Sequence, residues 1–87
     1  MIMTGEKKYE ILLFNDSEHS FFEVMGVLMM ICDHDKVQAD QCSLITHNTG
    51  KCSIKVGNFD EIFEMQNQLS EFGLNVEMVE CQSTNLI

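Results

Sequence analysis

Two groups of polar side chains interrupt the apolar stretches of this chain and are its first candidates for chemistry. Asn15-Asp16-Ser17 follows the apolar run YEILLF, and His47 precedes Thr49-Gly50-Lys51. Each group lies at the end of a predicted element beside the core, where binding residues are commonly carried. Asn and Asp are also ordinary turn residues, and a histidine that ends a helix often bonds to the last carbonyls. The residue types alone leave a ligand site and a simple turn both open.

Cysteine offers two other kinds of chemistry. The chain has four cysteines, and none of them forms a C-x-x-C pair. A metal site made by Cys32, His34, Cys42 and His47 would have irregular spacing, so small buried hydrophobes are the favoured interpretation of these cysteines. An enzyme that uses His47 with Cys42 or Cys52 would also need a base in reach and donors for an oxyanion, which residue types alone do not supply. We therefore expect no metal, no cofactor and no catalytic activity.

Length and charge limit the remaining possibilities. A chain of 87 residues with 45% hydrophobic content is enough for one compact domain and too small for two. Five Lys and Arg against 14 Asp and Glu give a net charge of -9, which repels nucleic acid and anionic membranes and attracts cations such as a free N-terminal ammonium. No apolar signal segment or membrane-spanning stretch is visible. We expect a cytoplasmic protein, monomeric when free, that binds neither nucleic acid nor membrane.

Short runs of strand-forming residues predict three strands. They lie at Tyr9 to Phe14, Cys52 to Val56 and Leu74 to Met78. Helical patterns separate them in the order β-α-α-β-α-β. All three helices can lie on one face of the sheet, which predicts an α+β two-layer domain with a three-stranded antiparallel sheet. We expect this domain to span residues 9–80, with a short flexible extension at residues 1–8 and a polar tail at residues 81–87.

Three capping boxes predict where the helices begin, since a Ser, Asp or Asn can accept the third helical amide while a Glu or Gln reaches back. The boxes are Ser20 with Glu23, Asp35 with Gln38 and Asn58 with Glu61. The first helix is apolar nearly all round, which is typical of a central buried helix. The second is expected to run to about His47 and to stop near Gly50, and its inner face to consist of Val37, Gln41, Leu44 and Ile45. The third ends at Gly73, and its apolar stripe is Phe59, Ile62, Phe63, Gln66, Leu69 and Phe72.

The two polar groups resemble the paired motifs of the ClpS adaptors of ATP-dependent Clp proteases. That family has Asn-Asp-Asp after its first strand and His-x-x-Gly-Lys at the end of its second helix. Here the motifs read Asn15-Asp16-Ser17 and His47-Asn48-Thr49-Gly50-Lys51, at the family's own spacing. The resemblance runs from about Lys8 to Glu80 and agrees with the element order. The pair of motifs therefore favours a site over a simple turn.

The resemblance implies an adaptor that recognises destabilising N-terminal residues, called N-degrons. Its partners would be substrate proteins with bulky hydrophobic N-terminal residues and a Clp-type AAA+ unfoldase that receives them. Asn15, Asp16 and His47 would accept hydrogen bonds from the three donors of a free α-ammonium. The same match predicts a pocket for the first side chain, made by Phe21, Val24, Ser43, Thr46 and Leu74.

The chain departs from the family near this site, where His19-Ser20-Phe21 replaces the family's usual Thr-Pro-Met and the loop loses its Pro. Ser17 stands where the family has a second Asp, Phe21 where it has a flexible Met at the pocket mouth, and Ser43 where a Met usually restricts the pocket. Ser17 weakens the carboxylate field, and Phe21 places a stiffer ring at the pocket mouth. Ser43 makes the pocket wider or more polar. The same fold occurs in the C-terminal domain of the bacterial ribosomal stalk protein, so fold alone does not decide function. The alternative is an interaction module that docks a partner through its acidic surface without recognising N-degrons.

Overall fold

The computed structural model describes residues 7–81. Its elements follow the predicted order: β1 (Tyr9–Phe14), α1 (Phe21–Ile31), α2 (Lys36–Thr49), β2 (Lys51–Gly57), α3 (Phe59–Glu71) and β3 (Asn75–Glu80). Of the extension predicted at residues 1–8 and the tail predicted at residues 81–87, all but Lys7, Lys8 and Cys81 lie outside the described residues.

The sheet has β1 at its centre, with the strand order β2-β1-β3. Both neighbours run antiparallel to β1, which confirms the predicted sheet, and Phe14 lies opposite Lys51 on one side and Asn75 on the other. The residues that follow β1 therefore meet the residues that precede β2 and those that precede β3. This topology brings three distant parts of the chain to one end of the sheet.

A β-bulge interrupts the pairing of β1 with β2. Ile11 pairs with Lys55 and Leu12 with Ser53, so Ile54 has no partner in the register. The Ile54 carbonyl instead accepts a hydrogen bond from Nε2 of the buried His34 at 2.8 Å. An unpaired residue is the usual consequence of a bulge, and here its carbonyl attaches the loop between α1 and α2 to the sheet.

Side-chain caps begin all three helices. Ser20 accepts the amide of Glu23, and the Glu23 carboxylate accepts the amide of Ser20, which confirms the predicted capping box of α1. Asp35 and Asn58 each accept the amide three residues further on, at 2.8 Å. The reciprocal bond is formed only at α1 among the described residues, so the other two predicted boxes are single caps. Either arrangement satisfies a helical amide that would otherwise lack a partner.

One core joins the three helices to the inner face of the sheet. Residues from β1, β2 and each helix contribute to it, which confirms the two-layer α+β architecture. Its buried hydrophobic members are Ile11, Leu13, Leu28, Cys32, Ala39, Ile54, Ile62, Leu69 and Leu74.

The expectation that α1 is a central buried helix is wrong. Leu28 is the only buried residue of α1, whereas Phe22 is 76% exposed and Met30 is 64% exposed. The reason is geometric: α1 packs mainly on α2 and α3, and no other helix or strand of residues 7–81 covers its outer side. A helix with neighbours on one side leaves its other face in water, whatever residues that face carries.

The predicted inner face of α2 is also wrong. Its buried residues are Ala39, Ser43 and Thr46, while the four residues predicted to face inward, Val37, Gln41, Leu44 and Ile45, are exposed. Small side chains at this helical spacing fit where α2 packs against α1 and β2. The α3 stripe is correct at its centre, where Ile62 and Leu69 are buried, but its phenylalanines Phe59, Phe63 and Phe72 are each about half exposed.

The burial of α1 predicts unequal effects of two alanine substitutions on this helix. Leu28→Ala should lower the free energy of unfolding by about 2 to 5 kcal/mol, because it leaves a cavity in the core. Met30→Ala should change it by about 0.5 kcal/mol or less, since Met30 is largely in water. Urea unfolding of both variants measures these values. Similar losses in the two would contradict the exposure of the outer face of α1.

Candidate functional site

The loop that follows β1 is held against the end of α2 by a backbone hydrogen bond. The Asn15 N–H donates to the Gly50 carbonyl at 2.9 Å. Gly50 has φ of +100° and caps α2 in the left-handed conformation, which costs glycine little because it has no Cβ. Asn15 and Asp16 consequently lie beside the last turn of α2, which carries His47.

A cavity lies between this loop, α1 and α2. The space among its lining residues amounts to about 370 Å³ when the open solvent at its mouth is included. All eight residues predicted for the site line this cavity: Asn15, Asp16, Phe21, Val24, Ser43, Thr46, His47 and Leu74. Four residues that were not predicted complete its lining: Leu13, Phe14, His19 and Ser20.

The lining is polar and exposed on one side and buried on the other. Asn15 and His47 are exposed, whereas Ser43, Thr46 and Leu74 are at most 5% exposed. Ligand sites commonly combine a few polar groups, which fix orientation, with walls that exclude water. The cavity has this arrangement, with its polar groups at the mouth.

The two buried hydroxyls of α2 differ in their bonding. The Thr46 hydroxyl donates to the Cys42 carbonyl of the preceding turn at 2.8 Å. The Ser43 hydroxyl is buried and has no hydrogen-bond partner among the described residues. A buried polar group without a partner is costly, so Ser43 keeps a hydroxyl with unused bonding capacity in the buried wall of the cavity.

Phe21 and Val24 of α1 form the opposite wall and are both partly buried. The Phe21 ring meets the exposed Phe22 ring edge to face, with centroids 5.6 Å apart and planes at 86°. This is a favoured geometry for two aromatic rings. It gives the mouth of the cavity an aromatic, apolar surface.

The Asp16 carboxylate organises the loop from within. Its Oδ1 accepts the backbone amides of Glu18 and His19, each at 2.9 Å, and its Oδ2 lies 3.1 Å from Nδ1 of the His19 ring. Burial by itself would raise the pKa of Asp16, but the hydrogen bonds to its anion, from His19 and Glu18, outweigh burial and lower that pKa. Asp16 is therefore ionised at neutral pH, and its Oδ2 has fewer donors around it than its Oδ1.

His19 connects this loop to the end of α3. While Nδ1 faces the Asp16 carboxylate, Nε2 lies 3.2 Å from the Phe72 carbonyl. Both partners only accept hydrogen bonds, so the ring satisfies them together only as the doubly protonated imidazolium. The hydrogen bond to Asp16 raises the pKa of His19, and partial burial opposes that rise. Glu23, the other charged group that acts on the ring, also favours the cation.

From the sequence, His19 is recognisable only as a departure from the family pattern. Its spacing of three residues from Asp16 is a local signal for a side-chain contact within the turn. The contact with Phe72, 53 residues further along the chain, has no such signal. It depends on where α3 ends relative to the β1–α1 loop, which is a property of the tertiary structure.

The cysteines lie outside this cavity. None of the four lines it, and burial raises the pKa of both the Cys32 and the Cys52 thiols to about 11. A thiol with so high a pKa carries little of the thiolate that acts as a nucleophile. Within residues 7–81, no three His, Cys, Asp or Glu side chains are grouped as metal ligands, and no helix there is long and apolar enough to span a bilayer.

Comparison with known proteins identifies the family and the fold of this chain. Residues 4–77 match the family model described as ATP-dependent Clp protease adaptor protein ClpS. Among solved structures 18 chains match. One is Agrobacterium tumefaciens ClpS2 bound to L-phenylalaninamide, with a TM-score of 0.75 and 20% identity over 87% of this chain and 99% of that chain. No curated protein matches the sequence.

The protein is thus a small α+β domain of the protease-adaptor class. Because the family model covers most of its length, the chain belongs to the ClpS family of adaptors of ATP-dependent Clp proteases. This confirms the resemblance carried by the two motifs. The structural match at 20% identity shows the shared fold.

The pair formed by His19 and Asp16 predicts a pH window of stability. A raised His19 pKa stabilises the fold below the ordinary value of about 6.5, and that stabilisation is lost as pH rises through the raised value. A lowered Asp16 pKa stabilises the fold above about 3.9 and is lost as pH falls through the lowered value. The contribution of the pair should therefore be largest between about pH 4 and 6.5.

Urea unfolding of the wild type and His19→Ala at a series of pH values measures this contribution. The stability lost in the variant should be greatest in that window and should shrink at alkaline pH. Glu18→Ala is the matched control, because it changes an exposed neighbour and keeps the backbone amide that Asp16 accepts. A loss that stays constant with pH would mean that His19 acts without its charge.

Proposed function

We propose that this protein binds the free N-terminal residue of N-degron substrates and delivers them to a Clp-type AAA+ unfoldase. The observation that carries the proposal is the meeting of Asn15, Asp16 and His47 at the mouth of one cavity, in a chain of the Clp adaptor family. The ligand of the Agrobacterium relative supports it. Phenylalaninamide has a free amine and a carboxyl group capped as an amide, which resembles the first residue of a polypeptide.

The amine is the chemical group that the polar mouth suits best. An α-ammonium has three donors and a positive charge, and it needs acceptors that converge on it. In the proposed complex these are the Asn15 amide oxygen, Oδ2 of Asp16 and the lone pair of a neutral His47 ring. An acetylated N-terminus has no charge and one remaining donor, so it would leave most of these acceptors unsatisfied.

The side chain of the bound residue would occupy the interior of the cavity. Phe21, Val24 and Leu74 supply apolar surface there, and burial of apolar surface contributes about 25 cal/mol per Å². A bulky hydrophobic residue would gain more from this wall than alanine would. The net charge of -9 would add a weaker, long-range attraction for the ammonium.

The proposed role is non-catalytic and needs no cofactor. The adaptor would act as a monomer that holds a substrate by its first residue while the unfoldase engages the rest of the chain. Binding by the N-terminal residue leaves the remainder of the substrate outside the cavity. This arrangement would let one small domain serve many substrates that share only their first residue.

Titration with labelled peptides tests recognition of the N-terminus. Peptides that begin with Phe, Tyr, Trp or Leu and have a free amine should bind saturably in fluorescence anisotropy, while the Ala peptide and all acetylated peptides should bind poorly. Asn15→Ala and His47→Ala should each weaken binding by about 10- to 100-fold, the usual value of a hydrogen bond to a charged group. Asp16 is less suitable as a test, because its substitution would also release the loop.

Asn48→Ala is the matched control for Asn15→Ala. Asn48 is exposed, adjoins His47 and does not line the cavity, so its loss should leave affinity unchanged. Equal and weak binding of every peptide, acetylated or free, would overturn amine recognition. It would favour the alternative, in which the fold docks a partner through its acidic surface.

Delivery requires a separate measurement with the unfoldase present. A reporter protein that begins with Phe should be degraded faster by a Clp unfoldase and its peptidase when the wild type is added. Asn15→Ala should give no acceleration, because it would not hold the reporter. Tight binding of peptides without acceleration would show a recognition domain that does not deliver its substrates to that unfoldase.

A further inference from the structure

We propose that Ser43 makes the cavity select an N-terminal residue with a hydroxyl at its far end, so that tyrosine is preferred over phenylalanine. This inference rests on the proposed function, since it concerns the residue that the cavity would hold. It starts from Ser43, a residue that lines the cavity and whose hydroxyl is buried in the wall without a hydrogen-bond partner among the described residues.

The position of Ser43 matches the length of an aromatic residue. Ser43 and His47 lie four residues apart on α2 and both line the cavity. Residues four apart on a helix share one face and are separated by about 6 Å along its axis. A guest held by its amine at His47 would therefore extend its side chain toward Ser43, one helical turn away. The phenol oxygen is the part of tyrosine that reaches furthest from the amine.

Tyrosine and phenylalanine differ in whether they can give the Ser43 hydroxyl a hydrogen-bond partner. A phenylalanine ring that fills the cavity would leave the Ser43 hydroxyl without a partner, as it already is in the free protein, and would gain nothing from it. A tyrosine hydroxyl both donates and accepts and would satisfy Ser43 at that same position. Sites that bond a buried hydroxyl reject the analogue that lacks it far better than purely apolar pockets do.

Thr46, which also lines this cavity, carries a hydroxyl that serves as a comparison for that of Ser43. Its hydrogen is already donated to the Cys42 carbonyl, so Thr46 has less need of a partner from the guest. Replacement of Thr46 by valine keeps the shape of the side chain and removes its hydroxyl. That substitution separates a general change in polarity of the wall from the specific role of Ser43.

The test measures the affinities of two free-amine peptides that differ only in starting with Tyr or Phe. The wild type should prefer Tyr by about tenfold. Ser43→Ala should reduce this preference to about twofold or less, through weaker binding of Tyr, and its continued preference for free over acetylated peptides reports an intact amine site. Thr46→Val also alters the lining and is free to change both affinities, but it should keep their ratio.

A third peptide, which begins with para-fluorophenylalanine, separates the size of the para substituent from its hydrogen bonding. It should bind the wild type like the Phe peptide and unlike the Tyr peptide. Equal affinity for Tyr and Phe, with the free amine still required, would overturn the role of Ser43 and leave amine recognition intact. Equal binding of acetylated and free peptides would instead overturn the proposed function itself.

Discussion

The antiparallel pairing of β1 with both of its neighbours is the constraint on which the cavity depends. Phe14, the last residue of β1, lies opposite the first residue of β2 and the first residue of β3. The loop that carries Asn15 must therefore meet the end of α2, which leads into β2, and Leu74, which leads into β3. Neither a long loop nor a second domain is needed to bring these groups together. A domain of this size can thus form a cavity at the end of its sheet without giving up its core.

Much of this architecture could be predicted from the sequence, because its signals are local. Caps such as Ser20 and the left-handed Gly50 act within a few residues, so element order and boundaries follow from short patterns. Which side of a helix is buried depends instead on what the helix packs against. Val37 and Leu44 face water although they are apolar, and Thr46 is buried although it is polar. Hydrophobic periodicity does not contain that information.

In the candidate site, too, local motifs could be predicted from the sequence, whereas contacts between distant residues could not. The motif containing Asn15 and the motif containing His47 were recognisable by spacing, and the structure brings both to one cavity. The bridge from Asp16 through His19 to the Phe72 carbonyl could not be predicted, because its two ends are far apart in sequence. That bridge places a ring whose pKa is raised beside the carboxylate of Asp16. The charge balance of the mouth therefore depends on the protonation of His19 as well as on its carboxylates.

The bulge at Ile54 has a consequence for how the two halves of the cavity are aligned. It adds one residue to β2 between the pair at Ile11 and the pair at Leu12, and so it sets which residue of the α2–β2 connection arrives opposite Asn15. Without the extra residue, the ladder would advance by one position, and the Gly50 carbonyl would no longer face the Asn15 amide. The bulge thus sets how the loop after β1 is aligned with the end of α2. Moving the bulge along β2 would change the geometry of the cavity mouth without altering any residue that lines the cavity.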